Sequence, residues 1–426
     1  MTEEASPLPV GSLEWVLDRL GELTPRWTIH PNLADLEQLA RQALHLNPAA
    51  PCDVAFLAQG GLNRVYIINS PSTNAEYVLR VALPVDPQHK TLSEVATLAF
   101  VRQFSDLVPR VKTWSSQPSK LGFEWMLMER MPGKPLEDMW SKMPWEAATT
   151  LVESIVDLLA TLFGQRLEGI GNLYLKEDIS ATSVPHQAAY DVGRIVSMFF
   201  FWGSRLTQPV QRGPYHSSHD WLSARPAVLA NKAANALATS ANEDDLDDAE
   251  KAQKVVERLK RLLPKIFPPS DPSSGPEPSA LFHDDMSWHN ILVNEQNRLV
   301  AVVDWECVSV LPLWHVCQLP AFLLGPTYEE MPRAENYTRE DNGEPNKLFD
   351  EHLRHHQKTK MRRIFLDAMQ RRQPKWMEEY RAAGIKADYE AAVATCNEWG
   401  FKLINRWLDQ FEAGGDVASY RRLFDQ

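Results

Sequence analysis

The chain has 426 residues and 44% hydrophobic content, enough for two or three domains or one two-lobed enzyme and too apolar for a disordered chain. Its formal net charge of −12 argues against nucleic acid as a partner, since that binding needs a basic surface, and is compatible with a cationic small molecule. The four cysteines, Cys52, Cys307, Cys317 and Cys396, form no C-x-x-C pair, which points away from zinc and disulfides and toward a reducing compartment, the cytoplasm.

The N-terminal stretch MTEEASPLPVGSLEW is acidic and lacks an apolar core, so neither a secretory nor a transit signal is expected. Apolar runs such as Val196–Trp202 are too short to span a bilayer, and no membrane partner is expected. Residues 13–20 and 33–46 have helical periodicity. VAFLAQGGLNRVYIINS then reads as strand, Gly-containing turn, strand. EYVLRVAL is a third strand, with Tyr77, Leu79, Val81 and Leu83 on one face and Val78, Arg80 and Ala82 on the other. A helix follows over 91–104, then an apolar strand within 121–133 that ends at the Pro132–Gly133 break, a candidate hinge. Beyond it the chain is mainly helical, with helices over 144–164 and 219–239 and a third whose acidic first turn lies in 242–250. Residues 267–280 read as a Pro/Ser linker and 325–347 as a polar loop. Helix 219–239 has Ser218 as its expected cap. His352, His355 and His356 read as a solvated helix face rather than a metal site. The sequence shows no internal repeat.

The chemistry concentrates in LFHDDMSWHNILVNEQNRLVAVVDWE, residues 281–306. Two apolar runs, Ile291–Val293 and Leu299–Val303, form an expected hairpin, and acids flank both ends. A carboxylate placed in such a setting without a partner is costly, so the acids are expected to serve a cation. The spacing H283-x-D285-x-x-x-x-N290, with Asp304 fourteen residues later, supplies the parts of phosphoryl transfer. Asp285 orients and deprotonates the acceptor hydroxyl, and Asn290 and Asp304 hold Mg²⁺ against the phosphates. Glu306 lies two residues past Asp304; on a strand the two share a face and both could reach the metal. Gly60 and Gly61 between two strands would let backbone N–H groups approach phosphate oxygens.

These residues resemble the aminoglycoside phosphotransferase and choline-kinase-like group, whose loop reads H-G-D-x-x-x-x-N and whose metal strand reads D-W/F-E; fungal members are similar. The resemblance covers about residues 51–325. It implies an α+β, two-lobed protein-kinase-like fold. Residues 1–50 would be a helical extension. Residues 51–130 would form a small antiparallel β-sheet N-lobe that binds nucleotide, and 131–426 a larger, mainly helical C-lobe with catalytic loop 283–290 and metal strand 299–306. It implies ATP as donor, Mg²⁺ as cofactor and a small-molecule hydroxyl as acceptor. Asn63 and Tyr66 match the family's G-x-x-N-x-x-Y loop. Arg80 takes the place of the phosphate-binding lysine, with Glu94 its partner and Val78 over the adenine. Backbone groups of Glu129 and Met131 would meet the adenine edge. Asp284 stands where the family has Gly, so two acids compete for the base role; the count to Asn290 selects Asp285 and leaves Asp284 as a loop cap. Trp202, Arg212 and Asp220 lie in an insertion that approaches the acceptor in the family. A protein kinase is disfavoured, with no A-P-E downstream and Ser287 where those enzymes carry Lys. A pseudokinase that binds nucleotide or partners is the rival reading, favoured by Arg80 and Asp284.

Overall fold

The computed structural model describes residues 12–19, 23–73, 75–118, 121–176, 189–271, 273–397, 399–414 and 419–421. Most of the stretch read as non-targeting, residues 1–11, lies outside them.

The first elements among the described residues are strands β1 (Leu13–Leu17) and β2 (Leu23–Trp27), paired antiparallel, and then helix α1 (Leu33–Ala43). The helix expected over 13–20 is therefore a strand as far as Leu17. The reason is tertiary: Glu14 and Arg26 pair across the ladder, and Trp15 packs edge-on against Trp202 at 5.0 Å. The ladder and this distant ring outweigh a weak local helical preference.

The N-lobe sheet comprises β3 (Asp53–Gln59), β4 (Asn63–Asn69), β5 (Tyr77–Ala82), β6 (Val111–Ser115) and β7 (Glu124–Glu129) in the order β3-β4-β5-β7-β6. It is the five-stranded antiparallel sheet expected. The two faces of β5 divide as its alternation requires: Tyr77, Leu79, Val81 and Leu83 enter a core shared with α1 and Trp27, while Val78 packs on the opposite, larger core. Helix α2 (His89–Val101) begins two residues before the expected span and buries ten of its side chains.

Gly133 carries the crossing to the C-lobe. Its φ is +101°, and a Cβ there would lie 2.7 Å from the Val293 carbonyl oxygen and from Val300. Only glycine permits both the left-handed backbone and the contact. Gly133→Ala is expected to cost about 1–3 kcal/mol, measured as a lowered denaturation midpoint; an unchanged midpoint would show that the hinge relaxes freely.

The C-lobe continues through β8 (Lys134–Pro135), α3 (Leu136–Met139), α4 (Trp145–Gly164), β9 (Leu167–Glu168), β10 (Asn172–Leu175), β11 (Tyr190–Gly193), α5 (Met198–Phe201), α6 (Ser218–Thr239) and α7 (Glu243–Ile266). It then forms β12 (Pro278–Phe282), β13 (Ile291–Val293), β14 (Leu299–Val302), β15 (Ser309–Pro312), α8 (Leu313–Val316), α9 (Lys347–Arg372), α10 (Pro374–Ala382), α11 (Gly384–Ala394) and α12 (Phe401–Glu412). Helix α4 is long and apolar enough to cross a bilayer by length and composition, contrary to the expectation that no stretch is. Here it lies in the C-lobe core, with Leu151, Val152, Ile155, Val156, Leu162 and Phe163 buried. The cap of α6 is Ser217, not Ser218; the latter is held by Glu277. His352, His355 and His356 do not form a solvated face. His356 is buried against the Tyr328 carbonyl at 3.1 Å, and His352 meets the Tyr337 hydroxyl at 2.8 Å. The four cysteines are free thiols.

Candidate active site

The loop between β12 and β13 is fixed from below. Met286 and Trp288 point into the core, each contributing on the order of 2–3 kcal/mol of apolar burial. The Phe322 N–H donates to the Met286 carbonyl at 2.9 Å, and Trp288 Nε1 donates to the Phe322 carbonyl at 2.8 Å. With these side chains down, Asp284 and Asp285 before them and His289 after them are exposed.

Both ends of the loop converge on Val303. The Val303 N–H donates to the Asn290 carbonyl at 2.9 Å, and His283 Nε2 donates to the Val303 carbonyl at 3.2 Å. Burial holds the His283 imidazole at about 4, so the ring is neutral at pH 7 and the carbonyl fixes the proton on Nε2. Asn290 Nδ2 donates to the Asp285 carboxylate and backbone carbonyl, both at 2.8 Å. The amide thus aims the Asp285 carboxylate and leaves its own oxygen for another partner.

Asp304 lies past the end of β14 with φ +62°, and Cys307 has φ +59°. The i, i+2 face rule therefore does not hold for Asp304 and Glu306, because the segment is a turn. Asp304 keeps 40% of its side chain accessible and Glu306 only 11%. Asp304 lies on the cleft floor, where Arg80 Nη1 approaches it at 3.5 Å. Burial, then the neighbouring Glu306, raise Asp304 to about 6, with Arg80 opposing. Burial also raises Asp284 to about 6, and Asp285 and Glu306 add to it. For Glu306 burial is outweighed by Lys90 and Arg80, which hold it at about 2. The backbone N–H groups of residues 284 and 285 act against the rise at Asp284.

The N-lobe brings its groups to the same cleft. Arg80 pairs with Glu94 and stands 3.7 Å from Glu306. Gly60 and Gly61 form the turn between β3 and β4, closed by the Gly60 N–H on the Asn63 carbonyl at 3.0 Å. Neither needs a left-handed backbone, and a Cβ at either would meet nothing within 4 Å. What the glycines provide is bare space above the turn. Val78 lies beside Met128 of β7 in the sheet register. The Glu129 N–H is already taken by the Arg110 carbonyl, so of its backbone groups only the carbonyl is left for an adenine edge. Met131 follows in the hinge.

Among the described residues, no group of three or more His, Cys, Asp or Glu is placed to hold a metal unaided. The donor set fits Mg²⁺ nonetheless. Mg²⁺ takes one or two carboxylates, keeps waters and uses substrate phosphates for the rest. An accessible Asp304 with its pKa raised is the carboxylate such an ion would satisfy.

Beside Asp284 opens a cavity of about 210 Å³, walled by Phe199, Phe200, Trp221 and Phe282, with Arg225, Glu390 and His315 among its polar groups. Arg225 is ion-paired with Glu390 and stacked on Phe199 at 4.4 Å. Phe199, Phe200 and Trp221 lie in the same insertion, residues 199–221, as the residues the sequence singled out, whereas Phe282, Arg225, His315 and Glu390 come from β12, α6, α8 and α11 and were not singled out. Trp202, Arg212 and Asp220 do not reach it. Trp202 Nε1 donates to the Leu23 carbonyl at 2.8 Å, Arg212 donates to the carbonyls of Phe200, Arg205 and Leu206, and Asp220 accepts from Ser217 at 2.8 Å. Lys90 was also missed: it lies at the cleft, 2.7 Å from Glu306. Its only local signal was a lysine four residues before Glu94, a common surface pattern.

A model of the phosphotransferase enzyme family, APH, matches residues 53–315, more than half of the chain. The chain belongs to this family. The chain is 27% identical over 310 residues to a subtelomeric hrmA-associated cluster protein of Aspergillus fumigatus, a match that covers 63% of this chain and 60% of that protein. The matched region thus spans about three fifths of that relative's length. It is 23% identical over 337 residues to altered inheritance of mitochondria protein 9 of Eremothecium gossypii, covering 67% of this chain and 53% of that one. Among solved structures, macrolide 2'-phosphotransferase type I aligns over 91% of this chain and 95% of its own, at 14% identity and TM-score 0.40.

Proposed function

We propose that this protein transfers the γ-phosphoryl group of Mg·ATP to a hydroxyl of a small molecule. The observation that carries this reading is the convergence at Val303: one residue, the immediate chain neighbour of Asp304, ties both ends of the catalytic loop. Asp285, aimed by Asn290, receives the hydroxyl proton. Asn290 and Asp304 hold the cation, which when bound neutralises charge on the phosphates. Arg80 and the open glycine turn take the triphosphate from above, and Arg80's planar fork can meet two phosphate oxygens. The aromatic cavity beside Asp284 takes the body of the acceptor.

A second reading, a nucleotide-binding protein without turnover, is favoured by one observation. Arg80 is already enclosed by Glu94, Asp304 and Glu306, so phosphates must compete for it. The test is ATP loss across a library of hydroxylated metabolites, run with Mg²⁺ and with chelator, beside thermal shift. The expected result is consumption with at least one acceptor, lost on chelation. Mg·ATP stabilisation of about 2.7 kcal/mol at 100 times Kd without turnover of any acceptor would leave the second reading.

A further inference from the structure

Helix α2 delivers a second cation to the phosphate region, and it does so from a buried position. Lys90, in the first turn of α2, is 2% exposed. Its Nζ lies 2.7 Å from Glu306 Oε2 and donates to Asn63 Oδ1 at 3.0 Å. The Asn63 amide donates to that same Glu306 oxygen at 2.7 Å. Three side chains therefore close a ring across the lobes. Asn63 begins β4 directly after the glycine turn, Lys90 belongs to α2, and Glu306 lies two residues past Asp304 in the C-lobe. Arg80, 3.7 Å from Glu306, and Glu94 and Asp304 flank the ring.

Burying an ammonium or a carboxylate is unfavourable unless each is paired and hydrogen-bonded, and this ring does both. It also commits Glu306 Oε2 to protein partners. A divalent ion at that oxygen would have to displace Lys90 and Asn63 together. Asp304, by contrast, is open to the cleft.

We propose that Lys90 is a positioning residue. With Asn63 and Glu306 it forms an interlobe latch that fixes the glycine turn relative to Asp304, and it reserves Glu306 for the latch rather than for the metal. The proposal rests on the reading of the cleft as a metal–nucleotide site. It corrects the face argument from the sequence, in which Glu306 was a metal ligand.

The test uses the full chain and the non-hydrolysable probe AMP-PNP, so it needs no acceptor. Nucleotide affinity at saturating Mg²⁺, and the Mg²⁺ concentration for half-saturation at fixed AMP-PNP, are measured by calorimetry. The variants are Lys90→Met, Lys90→Arg, Glu306→Gln and the double Lys90→Met/Glu306→Gln. Lys90→Met and Glu306→Gln are each expected to weaken AMP-PNP about tenfold, the double no further than either, and Lys90→Arg about threefold or less, as for groups acting as one unit. The Mg²⁺ midpoint should move by the same small factor in Lys90→Met and Glu306→Gln. The double variant leaves no uncompensated buried charge, so it reports on the latch even where a single variant fails to fold. The latch is overturned if losses multiply in the double variant, if Lys90→Met binds AMP-PNP like the parent, or if Glu306→Gln alone raises the Mg²⁺ midpoint tenfold or more. A parent chain that does not bind AMP-PNP with Mg²⁺ overturns the proposed function instead, and the latch with it.

Discussion

Asp285→Asn is expected to lower turnover by about 10²–10⁴ while nucleotide binding stays within a few-fold of the parent. The two effects separate because the substitution is close to isosteric. The Asn290 amide donates to the Asp285 carboxylate and backbone carbonyl, both at 2.8 Å; the carbonyl oxygen of an asparagine can accept the first bond, and the second is untouched. The loop remains pinned through Met286, Trp288 and the two Val303 bonds. What is lost is the anion that receives the hydroxyl proton. The measurement is single-turnover kinetics with an acceptor from the metabolite screen, beside AMP-PNP affinity. If turnover is retained, the base is not Asp285, and Asp284, the adjacent carboxylate on the same floor, is the next residue to replace.

Asp304→Asn is expected to abolish the Mg²⁺-dependent part of nucleotide stabilisation and, at the same time, to stabilise the metal-free protein. Burial and Glu306 raise the Asp304 pKa to about 6 from an ordinary 3.8, so the folded state holds that proton more tightly than the unfolded one. The stabilising contribution of the Asp304 proton is then lost as pH rises through about 6, and Asp284, also raised to about 6, contributes in the same direction. Glu306, held at about 2 against an ordinary 4.5, is ionised in the folded state across pH 5–7.5 and adds only a small opposing slope near pH 5. His283, held at about 4 against an ordinary 6.5, acts in the opposite direction to Asp304 and Asp284 over the same range, so the expected result is a difference: the gap in stability between Asp304→Asn and the metal-free parent should widen from pH 5 to pH 7.5, and Mg·AMP-PNP should reverse it. Because Asp304 is partly accessible, the gain on neutralising it is modest, about 1–3 °C in Tm at pH 7.5. The check is thermal unfolding at both pH values, with and without Mg·AMP-PNP. A variant that keeps the parent's Mg²⁺ response would remove Asp304 from the cation site.

The site was legible in the sequence where its parts are close together in the chain. The count from His283 to Asn290 and the hairpin to Asp304 are local facts, and a hairpin converts them into proximity with little freedom. The alternation in β5 likewise placed Arg80 and Val78 on one face, because strand geometry leaves no other arrangement. Misreadings came where a neighbour distant in sequence decided the outcome. Residues 13–17 became a strand because β2 pairs with them and Trp202 covers Trp15. Arg212 and Trp202 looked like acceptor contacts by position, yet both are consumed by backbone carbonyls of folded neighbours.

By itself, then, the order of residues determined which groups share a strand or a loop, since periodicity and short-range spacing are enough to fix that, and the two-lobed α+β architecture was legible through the family resemblance that those groups carry. Only the tertiary structure decided how Glu306 is used. Its partner Lys90 lies 216 residues earlier, and nothing at either position encodes the other; their pairing exists because two lobes close on one buried space, where an ammonium and a carboxylate must meet or neither can stay charged.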